Sequence, residues 1–194
     1  MKNTILFCLA GAAMLCPSLH PAAATTSTSV IGSSHARACF NAAESHRRTR
    51  DALRVCDSAL MDAALPAEHR AATLVNRGII HMQAGNIPAA IVDFDAAIVL
   101  QPVTAEAYVN KGIALIQMGG RDSEAVALLT KGLDLGPMRP EVAHYTRAIA
   151  YESLGKVREA FEDYSRAAQL APQWPEPGEQ LMRFQRIRAK TLGA

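Results

Sequence analysis

One block of about 35 residues recurs three times between Ala71 and Pro172, and a period of that length constrains a fold more tightly than composition does. The second halves of the blocks align as Ala90, Phe94, Ala97, Pro102, then Ala125, Leu129, Gly132, Pro137, then Ala160, Tyr164, Ala167, Pro172. Every block keeps the same steps of four, three and five residues. Steps of four and three put these positions on one face of an α-helix, and a proline, which cannot continue a helix, closes each series. The first halves match too: Gly78, Gly112 and Ala148 hold one equivalent place, and Gly85, Gly119 or Gly120, and Gly155 hold the next turn. Each block is therefore read as two helices joined by a tight turn.

These residues resemble the tetratricopeptide repeat (TPR), whose pattern is a small residue in the first helix, a glycine between helices, then small, aromatic, small and a terminal proline. Phe94 and Tyr164 fit the aromatic place. The middle block departs from the pattern, with Leu129 for the aromatic, Gly132 for the small residue and an extra glycine in Gly119-Gly120, so its turn is expected to be looser. The resemblance implies an all-α fold, a right-handed α-solenoid of helix-turn-helix repeats over about 71–102, 105–137 and 141–172, with a C-terminal capping helix in 173–194.

Residues 1–24 read as a leader. Lys2 precedes an apolar run from Ile5 to Leu15, and Ala22-x-Ala24 suits signal peptidase, so cleavage after Ala24 and a periplasmic or secreted location are expected. Leu15 before Cys16 does not suit a lipoprotein signal, and the run is shorter than the roughly 18 apolar residues of a membrane span. The formal net charge of +2 loses the one lysine of the leader, which leaves a near-neutral chain and no expectation of nucleic-acid binding. With 49 % hydrophobic but only 5 % aromatic residues, Ala-rich helices packed through small side chains fit better than an aromatic-rich sandwich.

Residues 25–34 are Thr/Ser-rich and read as a flexible linker. Residues 35–66 read as a degenerate N-terminal helical hairpin, because Ala52, Cys56 and Ala59 repeat the four-then-three spacing. Once Cys8 and Cys16 leave with the leader, Cys39 and Cys56 remain, in a compartment where disulfides persist. The TPR resemblance implies that their places face each other across the hairpin, so a Cys39–Cys56 disulfide would replace the missing aromatic. Metal ligation by His35, Cys39 and Cys56 is the lesser alternative. Further helices are expected over about 68–84, 87–100, from the N-cap Thr104 to Gln117, then 123–135, 140–154 and 157–170. Trp174-Pro175-Glu176-Pro177 reads as a separator before a last helix over about 178–190, with Leu181, Phe184 and Ile187 on one stripe.

The resemblance also implies that the first helices line a concave face where peptide ligands lie. The binding residues it points to are Asn76, Ile79 and Gln83, then Asn110, Ile113 and Gln117, then Tyr145 and Ile149. Amides pair with a peptide backbone and aliphatic groups hold apolar side chains, although Ile79, Ile113 and Ile149 have packing between helices as a competing reading. Some TPR domains clamp an acidic C-terminus; of the matching places Val75, Ile79, Asn110, Val142 and Thr146, only Asn110 has the required type. No G-x-S-x-G, H-E-x-x-H or G-x-x-x-x-G-K occurs, Asp93 and Asp95 are expected on a solvated surface, and His81 and His144 are read as packing or surface residues. The expected function is a non-enzymatic adaptor or scaffold with a protein or peptide partner, no cofactor and no metal. The alternative is a self-associating homo-oligomer, and contact of the basic run His46-Arg47-Arg48-Thr49-Arg50 with a membrane or cell-wall surface stays open.

Overall fold

The computed structural model describes residues 34–45 and 50–191, with side chains as far as Arg186. The leader, most of the linker, the basic run at 46–49 and the side chain of Ile187 lie outside the described residues. Among the described residues there are nine helices: α1 (Ser34–Glu44), α2 (Arg50–Met61), α3 (Ala67–Gln83), α4 (Ile87–Leu100), α5 (Ala105–Met118), α6 (Asp122–Asp134), α7 (Pro140–Ser153), α8 (Val157–Leu170) and α9 (Pro175–Thr191). They pack as successive pairs, α1 with α2, α3 with α4, α5 with α6 and α7 with α8, and the first helices stack in a row, α1 on α3, α3 on α5, α5 on α7. That arrangement is a helical solenoid closed at its C-terminal end by α9, which packs on α8.

Within a pair, the small residue of the first helix lets the large residue of the second come close. A Cβ added at Gly78 would lie 2.5 Å from Phe94 Cε1, and one at Gly112 would lie 2.7 Å from Leu129 Cγ. In the third repeat, Ala148 and Tyr164 share one buried cluster. The turns carry the glycine logic of helix C-termini. Gly85 has φ +81° and Gly155 φ +71°; Asn86 N donates to His81 O at 2.9 Å and Lys156 N to Tyr151 O at 2.8 Å, which closes each first helix. The middle turn differs as its double glycine suggested: Gly119 N donates to Leu115 O and Ile116 O, and Gly120 adds a second left-handed residue.

One local expectation holds in position without its side-chain bond, and one needs correction. Thr104 occupies the N-cap of α5, but its side chain makes no capping bond, whereas the Asn86 side chain accepts from Ala89 N at 3.3 Å. The Trp174-Pro175-Glu176-Pro177 stretch is not a separator, because α9 begins at Pro175. The first N–H groups of a helix have no intrahelical acceptor, so prolines in that turn cost no hydrogen bond.

Cys39 of α1 and Cys56 of α2 form a disulfide with Cα atoms 4.8 Å apart, and both are fully buried. The hairpin it closes is tied to the array by Gln83 Nε2, which donates to Ala43 O at 3.0 Å. A loop of 17 residues is worth about 3 kcal/mol in the chain-entropy model. A Cys39→Ala/Cys56→Ala variant is therefore expected to lose that amount in urea denaturation, and non-reducing peptide mapping of the parent protein should recover the linked pair. An unchanged midpoint, or two free thiols, would remove the staple from this account.

Candidate functional site

The sequence placed the candidate residues on the first helices, and the stacking of α3, α5 and α7 decides how much of each is open. Asn76 and Ile79 of α3 and Asn110 and Ile113 of α5 are buried, with Val75, Val109 and Val142 beside them in the helix row. Ile79 and Ile113 belong to the same hydrophobic cluster as Phe94 and Leu129. Asn110 Nδ2 donates to Glu106 O at 2.9 Å, and Glu106 in turn accepts from Met138 N at 3.0 Å. Gln83 is half-buried and engaged with α1, Tyr145 and Ile149 are half-buried, and Gln117 is exposed. Of the eight candidates, Gln117 is therefore exposed, Gln83, Tyr145 and Ile149 are half-buried, and the other four are buried.

Asp93, read as a solvated carboxylate, is only 3 % exposed and forms a structural ion pair. Arg77 donates from Nε and Nη2 to Asp93 at 2.9 and 2.6 Å, and from Nη1 to Asp57 of the preceding hairpin at 2.7 Å. Arg147 repeats the arrangement on Asp163 at 2.7 and 2.9 Å, and its Nη1 donates to Thr130 Oγ1 at 2.9 Å. In the middle repeat, Lys111 donates to Asp95 at 2.6 Å. The rule is positional: a base directly before the small residue of the first helix reaches the residue directly after the aromatic place of the preceding repeat. Each such bridge pins one repeat against the next. His81 Nε2 lies 4.0 Å from Asp93, and His144 Nδ1 lies 2.7 Å from Asp163, so both histidines belong to these clusters. Burial works to raise the Asp163 pKa, but the hydrogen bonds from Arg147 and His144 outweigh it and hold the carboxyl below its usual value. The hydrogen bond from Arg77 to Asp93, acting against burial, holds the Arg77 guanidinium in its charged form.

At the C-terminal end the packing turns aromatic. Tyr145 lies 4.7 Å from Trp174 and 5.4 Å from Tyr164 between ring centroids, and Phe184 of α9 lies 5.9 Å from Tyr164. Glu152 accepts from the Tyr164 hydroxyl at 3.2 Å and from Arg183 at 2.6 Å. Burial raises the Tyr145 pKa, with Glu176, Glu179 and Glu152 adding to the rise and Arg183 opposing it. Trp174 was not singled out from the sequence as a surface residue, although a tryptophan two places after the repeat-ending proline is unlike its counterparts Thr104 and Arg139.

The outer helices carry a second feature. On α4 the exposed positions are apolar, with Val92 66 % and Val99 82 % exposed and Ala96 between them. The same places hold Ala127, Lys131 and Asp134 on α6, and Glu162, Arg166 and Gln169 on α8. Among the described residues there is no group of three or more His, Cys, Asp or Glu side chains placed to hold a metal ion, and no helix long and apolar enough to cross a membrane.

Models of the tetratricopeptide repeat match residues 75–140 and 142–174, together about half of the chain. No curated protein matches the sequence. Among solved structures, MamA from residue 41 to its end, from Desulfovibrio magneticus RS-1, is 21 % identical with a TM-score of 0.63, over 82 % of this chain and 89 % of that one. The first TPR of Spaghetti (RPAP3) bound to an HSP90 peptide is 21 % identical with a TM-score of 0.58, over 63 % of this chain and 98 % of that one. The Arabidopsis OM64 TPR domain is 21 % identical with a TM-score of 0.56, over 61 % of this chain and 99 % of that one. Likeness at these identities bears on the fold alone.

Proposed function

Because this chain belongs to the tetratricopeptide repeat family, we propose that it is a non-enzymatic adaptor or scaffold that holds a peptide segment or partner protein along its stacked first helices. The observation that carries this reading is that Gln117 is exposed and Tyr145 and Ile149 are half-buried on the first helices, whereas Asn76, Ile79, Asn110 and Ile113 are buried. A peptide bound to the TPR of RPAP3 lends it support by analogy of fold. The carboxylates of Asp93 and Asp163 are occupied in tying together the two helices of their own repeats, which leaves them little to offer as reacting groups. The leader-like first 24 residues and the disulfide favour an exported protein, periplasmic or secreted.

The test is affinity capture from periplasmic extract with the exported chain and its variants. Gln117→Arg alters only an exposed side chain, so its melting should stay within about 0.5 kcal/mol of the parent while capture weakens. Asn110→Ala removes a buried amide that bonds Glu106 O, and is expected to cost about 1 to 3 kcal/mol in addition to any effect on capture. If Gln117→Arg and Tyr145→Ala both capture like the parent, the first-helix face is not the binding face. The apolar outer face of α4 favours a second reading, self-association, because contiguous exposed apolar surface marks contact sites. A sedimentation mass that rises with concentration and reverts in Val92→Lys/Val99→Lys would establish it.

A further inference from the structure

The geometry points to a subsite for a basic side chain: we propose that Tyr145 and Trp174, flanked by Glu152, Glu176 and Glu179, receive a lysine or arginine of the partner's segment. This rests on the first-helix reading above and gives the partner a chemistry.

Comparison between repeats carries the argument. The places equivalent to Tyr145 are Val75 and Val109, both fully buried, so packing of the helix row is satisfied there by an aliphatic residue. In the third repeat the same place holds a half-buried tyrosine, met by the half-buried indole of Trp174 at 4.7 Å with the rings tilted by 52°. Both side chains pack partly on the core yet remain half-buried, so this aromatic corner reaches solvent, and an aromatic ring attracts a cation through its quadrupole. The surrounding charge agrees. Glu176 and Glu179 are exposed on the first turns of α9, and with Glu152 they all act on the Tyr145 phenol. The cation acting on the same phenol, Arg183, is already bonded to Glu152 at 2.6 Å and to Gln180 at 2.8 Å. A carboxylate-bearing segment would meet net repulsion here, whereas a lysine or arginine gains both the rings and the acids.

Trp174 is the one tryptophan of the chain, so its fluorescence reports this corner directly. The full chain is titrated with blocked heptapeptides that carry a single central Lys, Arg, Glu or norleucine in an alanine background. The Lys and Arg peptides are expected to change the Trp174 emission saturably and at about tenfold lower concentration than the Glu and norleucine peptides. Glu176→Gln/Glu179→Gln should erase that preference while the protein stays folded, with at most the small drop in melting temperature expected from losing a carboxylate at the start of α9, and Tyr145→Val, which copies the other repeats, should weaken the Lys peptide by a similar factor. A Glu or norleucine peptide that binds as well as Lys, no saturable response to any peptide, or a double Gln variant that keeps the preference would overturn the proposal. The capture assay separates the two readings: if Gln117→Arg loses the partner while Glu176→Gln/Glu179→Gln keeps it, the binding face stands and the basic subsite falls. If neither variant affects capture, both fall.

Discussion

Replacing Phe94 with alanine is expected to cost about 3 to 5 kcal/mol, enough to unfold a small domain of ordinary stability. Phe94 is fully buried, its ring fills the space left by the missing side chain of Gly78, and its cluster reaches from Cys39 in the first hairpin to Val142 in α7. Alanine would leave a void bounded by α3, which the stacked helices can close only by giving up contacts with their neighbours. A solenoid is held by nearest-neighbour interfaces, so the loss at α4 is felt on both sides. Phe94→Leu copies the residue of the middle repeat and keeps most of the volume, so it should cost less than about 1.5 kcal/mol. Urea denaturation followed by circular dichroism distinguishes the two. A Phe94→Ala loss under about 1 kcal/mol, or equal losses for both variants, would show that the small-to-large fit does not hold the repeats together.

Arg147→Met is expected to cost about 3 kcal/mol at pH 7, because it leaves the buried Asp163 carboxylate with His144 as its remaining partner and frees Thr130. The pH dependence follows from the direction of the Asp163 shift. Its folded pKa lies below the unfolded value of about 4, so the stabilisation is present above that pH and is lost as the pH falls through the folded pKa. Once Asp163 is protonated there is no ion pair for Arg147 to maintain. The gap between parent and variant should therefore be widest near neutrality and narrow on acidification. Equal gaps at pH 7 and pH 3, measured by the same denaturation, would exclude the bridge as the source of the loss.

Helix positions were legible because they depend on spacing along the chain. The steps from Ala90 to Phe94 to Ala97, and their counterparts, mark a helix face, and Pro102, Pro137 and Pro172 mark where each must stop. The pairing of Cys39 with Cys56 followed from the TPR resemblance, since two places of one hairpin are joined by a single short turn. The start of α9 was misplaced because proline signals both a break and a first turn, and only the chain that follows separates the two. Asp93 was misjudged for a different reason. Its neighbours Phe94 and Asp95 do not disclose the guanidinium of Arg77, 16 residues earlier, that makes its burial tolerable.

The sequence by itself determined the repeat, its small and aromatic places and the all-α fold, because those are written in local periodicity. Only the tertiary structure decided which side chains of the first helices remain at the surface and which charges join one repeat to the next. Asn110 and Gln117 lie two turns apart on α5 and differ completely in exposure, and Arg77 reaches both Asp57 and Asp93 on different helices. Accessibility and ion pairing are properties of what a neighbouring helix places opposite a residue, and no spacing within one helix encodes the neighbour's distance.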